Sequence, residues 1–305
     1  MSIVPTNLPY NSYILRQNII SLNTTFPFLN VQTVGNSVLG ENIYVIKLGK
    51  GRKKVFYSAS FHANEWITSI LLMKFIEDYC NAYVNNGQLY GYSARNLFNS
   101  ASIYIMPMVN PDGVNLVTGA IPLNSFAYLS AQRIARNFPE IPFVDGWKAN
   151  IRGVDLNLQF PAGWEQAKEI KYEQGFNMPA PRDFVGYGPL TEPEALAIYN
   201  FTLSHDFRLV IAYHTQGQEI YWNFQNINPP NGYAIGLTFA RSSGYTLTEV
   251  PYNSSFAGYK DWFIQTYYRP GFTVEAGIGE NPLPLSQFDE IYRDNLGILV
   301  LGAIV

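Results

Sequence analysis

Short apolar segments alternate along this chain with longer segments of helical periodicity, and this alternation restricts the fold more than any other feature. Because strands that alternate with helices pack in layers, we expect an α/β fold, with a mixed sheet sandwiched between helices. The turn at 49–51 separates two strands that we predict to pair as a hairpin. The predicted strands are 41–48, 54–60, 102–108, 209–213 and 272–274, and the predicted helices are 11–26, 66–84, 191–204, 233–243 and 287–304.

The length and continuity of the chain indicate a single domain. A chain of 305 residues is within the range of one α/β domain, and it contains no internal repeat, charged block or low-complexity linker. We therefore predict one domain over residues 1–305, with residues 1–40 as a helical lead-in. Residues 110–188 are rich in Gly, Pro and Asn and show little periodicity, and an irregular stretch of this length usually has a function.

The composition excludes several classes of protein. Hydrophobic residues make up 47% of the chain and charged residues 14%, which excludes disorder caused by a lack of apolar surface. The net charge of −3 offers no basic face for nucleic acid. We see neither the run of about 18 apolar residues that a membrane span needs nor a signal peptide. The single cysteine, Cys80, excludes an internal disulfide, and we expect a buried thiol in the helix over 66–84.

Two of the three histidines directly follow predicted strands. His62 and His214 stand at strand ends, where the loops of an open α/β sheet converge, and Glu65 lies three residues after His62. Zinc in hydrolases is commonly held by two histidines and one carboxylate, with a fourth position left open. Spacing alone also allows purely structural histidines. We expect His205 to be structural, because it lies near the end of a predicted helix.

Five motifs occur in a fixed order along the chain: His62-Ala-Asn-Glu65, Asn110-Pro-Asp-Gly113, Gly153-Val-Asp-Leu-Asn157, Tyr213-His214 and Phe272-Thr-Val-Glu275. Together they resemble the zinc carboxypeptidase family, over residues from about 40 to the C-terminus. Three further segments, 155–162, 214–222 and 281–288, resemble a narrower group, the bacterial γ-D-glutamyl-L-diamino acid endopeptidases. These enzymes cut peptidoglycan stem peptides between D-glutamate and the diamino acid.

The family resemblance implies a fold and a metal site. The sheet would be mixed and mostly eight-stranded, with helices on both faces. One zinc ion per chain would be held by His62, Glu65 and His214. Asp155 would orient a zinc histidine or a neighbouring loop, as outer partners of metal ligands commonly do.

The resemblance also implies catalytic and substrate-binding residues. Glu275 matches the family's general acid/base, which takes a proton from the attacking water and delivers it to the leaving nitrogen. Arg152 would polarise the scissile carbonyl, and Asn157 would contact the substrate. Tyr252 would be a mobile tyrosine that covers the substrate, with Tyr259 as a competing assignment. The alternatives are that Glu275 belongs to a buried structural pair and that Arg152 forms a surface ion pair.

Position 158 departs from the family pattern. Enzymes that trim a free C-terminus usually have an arginine here, which clamps the terminal carboxylate, whereas this chain has Leu158. Leucine cannot bind a carboxylate, so the departure favours endopeptidase activity at a γ-D-glutamyl bond. Such a substrate carries a free α-carboxylate. The candidate donors for it are Arg152, Arg241, Arg269, Asn157, Gln159, Gln216 and Gln218.

Two other functions remain open at this stage. The chain could be a carboxypeptidase that clamps the C-terminus through another residue, or a pseudo-peptidase that binds cell-wall peptides without cutting them. Relatives of the endopeptidase type often carry LysM modules, and we find none in this sequence. A peptidoglycan substrate favours the cell wall, the spore or the sporangial cytoplasm as the location, and a role in sporulation.

Overall fold

Eight strands form the central mixed sheet of the computed structural model, which describes residues 2–305. The order of the strands across this sheet is β1-β2-β6-β3-β7-β10-β8-β9, and β4 and β5 pair separately. The strands are β1 (Asn30–Asn36), β2 (Asn42–Leu48), β3 (Lys53–Ala59), β4 (Gln88–Leu89), β5 (Tyr92–Ser93), β6 (Ala101–Met106), β7 (Leu209–His214), β8 (Glu219–Tyr221), β9 (Thr246–Thr248) and β10 (Gly271–Glu275).

The four central strands, β6, β3, β7 and β10, run parallel to one another. Their sequences are nearly continuous apolar runs, because both faces of a parallel sheet are covered. In the register of β7 and β10, His214 lies opposite Glu275. The carboxyl ends of β3, β7 and β10 therefore lie side by side at one edge of the sheet.

Helices cover both faces of the sheet. On β3, Tyr57 packs on one face in a core cluster with α1, α2, α8 and α10, whereas Phe56 packs on the other in a cluster with α7 and α9. This alternation is the period of two that a strand imposes. The helices are α1 (Ser12–Thr25), α2 (Ile67–Val84), α3 (Ala94–Ser100), α4 (Pro111–Val117), α5 (Phe126–Ala135), α6 (Trp164–Glu173), α7 (Pro193–Leu203), α8 (Gly232–Ser243), α9 (Tyr259–Tyr267) and α10 (Phe288–Leu301).

The predicted fold class is confirmed, but the predicted hairpin is wrong. β2 and β3 do not pair, because β6 lies between them, antiparallel to β2 and parallel to β3. The turn at 49–51 crosses the start of β6 instead, where the N–H group of Gly51 bonds to the carbonyl of Ala101. A side chain at Gly49 would place its Cβ 2.1 Å from that carbonyl oxygen, so the crossing requires glycine.

Two stretches contain more regular structure than their sequences indicate. The lead-in includes the edge strand β1 as well as α1, and residues 110–188 contain α4, α5 and α6. Cys80 is buried in α2, as predicted. The half-buried His205 packs against Phe201 and Phe207 and bonds to the carbonyl of Phe201, so it is structural.

Within residues 2–305, none of the helices has both the length and the apolar character needed to cross a membrane.

Candidate metal centre and active-site cleft

Two neighbouring strand ends supply the metal ligands. His62 follows β3 and precedes a 3-10 turn, Ala63–Glu65, which brings Glu65 back beside it. His214 is the last residue of β7, the next strand in the sheet. The Nδ1 atom of His62 lies 2.8 Å from Oε1 of Glu65, and Nδ1 of His214 lies 3.0 Å from Oε2. The two Nδ1 atoms are 3.2 Å apart, so the three side chains converge on one point.

This arrangement fits a zinc ion. Tetrahedral zinc with Zn–N distances of about 2.0–2.1 Å needs ligand atoms about 3.3 Å apart, close to the 3.2 Å between the Nδ1 atoms. Nε2 of His62 lies 3.1 Å from Oδ1 of Asp155, a contact that selects the tautomer with a bare Nδ1. In this neutral tautomer His62 turns a bare nitrogen toward the carboxylate of Glu65, an approach that a cation between them makes favourable. The donor set and the geometry of His62, Glu65 and His214 therefore fit a zinc ion.

Asp155 is the buried partner that orients His62. Burial disfavours its charge, but His62 and Lys148 outweigh burial and lower the pKa of Asp155. Burial would likewise lower the pKa of His62, whereas the carboxylates of Glu65 and Asp155 raise it to about 9. The predicted orienting position of Asp155 agrees with its contact to the ring of His62.

Glu275 ends β10 and faces the same cleft as the metal ligands. Burial, together with the nearby charge of Glu65, raises the pKa of Glu275 to about 8. A carboxyl group whose pKa lies near neutrality can both accept and release a proton at physiological pH. A bound cation would lower this pKa, because it favours the charged carboxylate.

Lys148, which the sequence motifs did not indicate, is the cation beside the metal ligands. Its Nζ atom lies 3.0 Å from Oε1 of Glu65, and its side chain lines the cleft. The loop is fixed there because Trp147 is fully buried and its Nε1 atom donates to the carbonyls of Ala149 and Asn150. Burial opposes the charge of Lys148, but Glu65 and Glu275 raise its pKa. The ammonium group is therefore held in its charged form.

Arg152 does not reach the cleft, which corrects the role predicted for it. The chain reverses at a tight turn, closed by hydrogen bonds between Asn150 and Val154, and Arg152 lies on this turn. Its side chain is 55% exposed, and Nη1 approaches Glu192 at 3.5 Å. Arg152 thus forms the surface ion pair that was its alternative. Lys148 and Arg152 both precede the 153–157 motif, and the turn determines that Lys148 and not Arg152 faces the cleft.

The remaining predicted substrate residues lie at different depths. Asn157 lines the cleft, and its Oδ1 accepts a hydrogen bond from the N–H group of Tyr259. Tyr252 is 60% exposed and packs edge-on against Phe256, a cleft residue. Tyr259 is fully buried, and its hydroxyl bonds to Thr202. The competing assignment of Tyr259 as a mobile covering residue is therefore excluded.

Leu158 lines the cleft as part of an apolar cluster with Trp164 and Val185. The cleft has a volume of about 860 Å³. Of the seven candidate carboxylate donors, only Asn157 and Gln216 line it. Gln159 is fully buried, and its amide bonds to backbone groups of neighbouring loops. The cleft contains a guanidinium group that was not a candidate, that of Arg182.

The fold and the site together define a zinc metallopeptidase: the chain belongs to the zinc carboxypeptidase family, whose pattern matches residues 15–297. The match begins earlier than the sequence motifs indicated. The chain is 47% identical over 293 residues to γ-D-glutamyl-L-diamino acid endopeptidase 1 of Lysinibacillus sphaericus, covering 96% of this chain and 72% of that protein.

Solved structures show the same fold. Bovine thrombin-activatable fibrinolysis inhibitor, in complex with a tick carboxypeptidase inhibitor, superimposes with a TM-score of 0.73 at 18% identity, covering 98% of this chain and 97% of that one. The murein-tripeptide amidase MpaA of Escherichia coli O157 gives a TM-score of 0.55 at 18% identity, covering 89% and 91%. The eight-stranded mixed sheet is therefore that of the carboxypeptidases.

Proposed function

We propose that this protein is a zinc-dependent endopeptidase that hydrolyses the γ-D-glutamyl–diamino acid bond of peptidoglycan stem peptides. The observation that carries the proposal is the combination of a complete metal centre with Leu158, whose side chain packs in an apolar cluster of the cleft. Leucine at this position cannot clamp a terminal carboxylate. The identity of 47% to a protein named for γ-D-glutamyl-L-diamino acid endopeptidase activity supports the same substrate.

We assign the chemistry to side chains that face the cleft. When bound, zinc polarises the scissile carbonyl and activates the attacking water. Glu275 takes the proton of that water and delivers it to the leaving nitrogen, because its carboxyl group faces the cleft without being a metal ligand. The oxyanion role predicted for Arg152 passes to Lys148, whose ammonium group contacts Glu65 in the cleft. Asn157 contacts the substrate, and Tyr252 covers it from the rim.

A paired digest tests the substrate assignment. The zinc-loaded protein is given L-alanyl-γ-D-glutamyl-L-lysine and an all-L, α-linked peptide with the same side chains, and the products are read by mass spectrometry. We expect cleavage of the γ-linked bond and little loss of the C-terminal residue from the α-linked peptide. A site that pairs the extra carboxylate rejects analogues that lack it, because its donors are left without partners.

The other outcomes lead to specific alternatives. Faster loss of the C-terminal residue from the α-linked peptide would establish a carboxypeptidase. If the zinc-loaded protein cuts neither peptide, a pseudo-peptidase that only binds cell-wall peptides takes its place. We also propose a location at the cell wall, in the spore or in the sporangial cytoplasm, where this substrate occurs, and cell fractionation tests it.

A further inference from the structure

Arg182 and Asp183 line the cleft, and their segment, 180–183, is tied to the residues around the metal centre. The carbonyl of Pro181 accepts hydrogen bonds from the N–H groups of Lys148 and the next residue, at 2.8 and 2.9 Å. The N–H group of Asp183 donates to Oδ2 of Asp155, whose other oxygen contacts the ring of His62. Arg182 is therefore attached to a backbone that is fixed relative to the metal ligands.

Arg182 presents an unused guanidinium edge to the cleft. Its Nε atom lies 2.6 Å from Oδ2 of Asp183, while Lys171 lies 2.6 Å from Oδ1 of the same carboxylate. Two cations thus share the carboxylate of Asp183. Lys171 is 9% exposed and Arg182 is 43% exposed, so of the two cations it is Arg182 that reaches solvent. Its Nη atoms form no hydrogen bond with any of residues 2–305.

The other cations of the cleft already have partners. Lys148 pairs with Glu65 at the metal centre. Lys260 is buried, and its ammonium group bonds to Asp261 and to the carbonyl of Asn223. A carboxylate that enters the cleft is therefore met by Arg182, whose planar fork suits bidentate binding of an oxygen pair.

The position of Arg182 also indicates which carboxylate it would bind. In a γ-D-glutamyl peptide, only Cα, Cβ and Cγ separate the scissile carbonyl from the free α-carboxylate. A cation that binds this carboxylate must therefore lie close to the cation that stabilises the oxyanion. The backbone of Lys148 bonds to Pro181, the residue before Arg182, so the two side chains start from adjoining segments.

We propose that Arg182 binds the free α-carboxylate of the γ-D-glutamyl residue and so selects substrates with an acidic group on the acyl side of the scissile bond. This inference rests on the proposed function and adds the residue that recognises the substrate. Because the carboxylate lies outside the reacting bond, Arg182 acts in binding and orientation. Loss of the fork should weaken affinity for the acidic peptide more than for its neutral analogue.

The experiment measures binding without cleavage. In the zinc-loaded Glu275→Gln protein, titration calorimetry compares L-alanyl-γ-D-glutamyl-L-lysine with the analogue in which the D-glutamate α-carboxylate is a carboxamide. With Arg182 present, amidation should weaken binding about 10- to 100-fold, the range for a hydrogen-bonded charge. With Arg182→Gln added, the two peptides should bind within about threefold of each other. The control is Arg136→Gln at the end of α5, where the exposed arginine side chain hydrogen-bonds to Gln132; this variant should keep the full difference.

Further variants keep the result interpretable. Arg182→Lys keeps the charge without the fork, so amidation should have an intermediate effect, and it also serves if the glutamine variant does not fold. Zinc content and thermal midpoint are measured for every variant. An equal amidation penalty with and without Arg182 overturns the proposal, as does an absence of peptide binding while Arg182 is intact. The proposal is also overturned if Arg182 makes binding sensitive to amidation of the peptide's C-terminal lysine carboxylate instead. Arg182 would then bind the leaving-group side of the substrate.

The proposed function fails separately from this inference. It fails if the zinc-loaded wild-type protein does not cut the γ-linked bond in the digest, whereas the titration requires no cleavage. A protein that binds the acidic peptide through Arg182 but does not cut it would keep this inference and lose the endopeptidase assignment.

Discussion

The side chain of Glu275 lies in the cleft without being a metal ligand, so its chemistry can be separated from zinc binding. Glu275→Gln should keep zinc and the fold, because the amide has nearly the same shape. The proton transfer is lost, so kcat should fall by about two decades or more. Metal analysis and steady-state kinetics on the γ-linked peptide check this. A kcat close to that of the wild type in zinc-loaded protein would remove Glu275 from the mechanism.

Lys148 has one proposed role in the reaction: its ammonium group stabilises the oxyanion. Lys148→Gln should lower kcat by about 100- to 1,000-fold, the usual effect of removing one oxyanion donor. Because Lys148 also contacts Glu65, zinc content must be measured at the same time. Lys148→Arg keeps a cation and should recover part of the rate.

The matched control for Lys148 is Lys50→Gln, an exposed lysine outside the cleft, which should leave kcat unchanged. If Lys148→Gln retains both zinc and kcat, the oxyanion is stabilised by another group. If it loses zinc and rate in proportion, Lys148 supports the metal ligand and not the reaction.

At the scale of elements, the sequence predicts which segments are strands better than it predicts which strands pair. The apolar runs of β2, β3, β6, β7 and β10 are long enough to be recognised, and the predicted segments overlap all five. The hairpin prediction failed because pairing depends on contacts far apart in sequence, here the insertion of β6 between β2 and β3. β1, with the sequence NVQTVGN, is polar enough to escape a hydrophobic pattern.

In the candidate site, too, the sequence predicted some residues, whereas others depend on contacts that only the folded structure shows. Ordered motifs located the zinc ligands, since each occurs at or just beyond a strand end, where packing leaves little freedom. Arg152 and Lys148 could not be told apart, because the choice depends on a local turn that reverses the chain. Arg182 gave no signal in the sequence, because its importance comes from a carboxylate that it shares with Lys171.

Gln159 joins two elements, although its sequence position allowed a role in binding substrate. Its Oε1 atom accepts from the N–H groups of Thr191 and Glu192, just before α7, while Nε2 donates to the carbonyls of Val185 and Gly188. No side chain of the N-cap residue of α7 bonds to the helix, so this contact takes the place of a side-chain cap.

Gln159→Ala should therefore destabilise the fold and spare substrate binding. Leaving these backbone groups without partners should lower the free energy of unfolding by about 3 kcal/mol. KM for the γ-linked peptide should stay within about twofold, because the side chain does not line the cleft. Gln216→Ala, in the cleft, should leave stability unchanged. Urea unfolding and kinetics check both variants, and a raised KM with unchanged stability for Gln159→Ala would contradict the structural role.

At the scale of the whole molecule, one buried carboxyl group joins distant parts of the chain. Glu194, near the start of α7, accepts hydrogen bonds from the N–H group of Val38 in the β1–β2 turn and from Asn150 before the 153–157 motif. Burial, with a contribution from the charge of Asp112, raises the pKa of Glu194 to about 7 from its ordinary value of 4.5. Between pH 4.5 and about pH 7, the folded protein thus holds a proton on Glu194 that the unfolded chain has released.

The stability contributed by Glu194 should be complete below its unfolded pKa of 4.5 and lost as the pH rises through about 7. Glu194→Gln, which imitates the protonated form, should remove this loss. Relative to the variant, the wild type should lose roughly 3 kcal/mol of unfolding free energy between about pH 5 and about pH 8. Urea unfolding of both proteins at the two pH values measures the difference in unfolding free energy between them. This difference would be the same at both pH values if Glu194 were charged in the folded state throughout.

The metal ligands come from opposite halves of the chain, since the Nδ1 atoms that meet at 3.2 Å belong to residues 152 positions apart. They meet only when β7 has paired with β3, and Glu275 joins them only when β10 has paired with β7. A ribosome releases the N-terminal segments first. A nascent chain that stops before His214 has an incomplete zinc site, and one that stops before Glu275 has no acid/base. Translation itself therefore keeps this peptidase inert until every strand of its sheet has been synthesised.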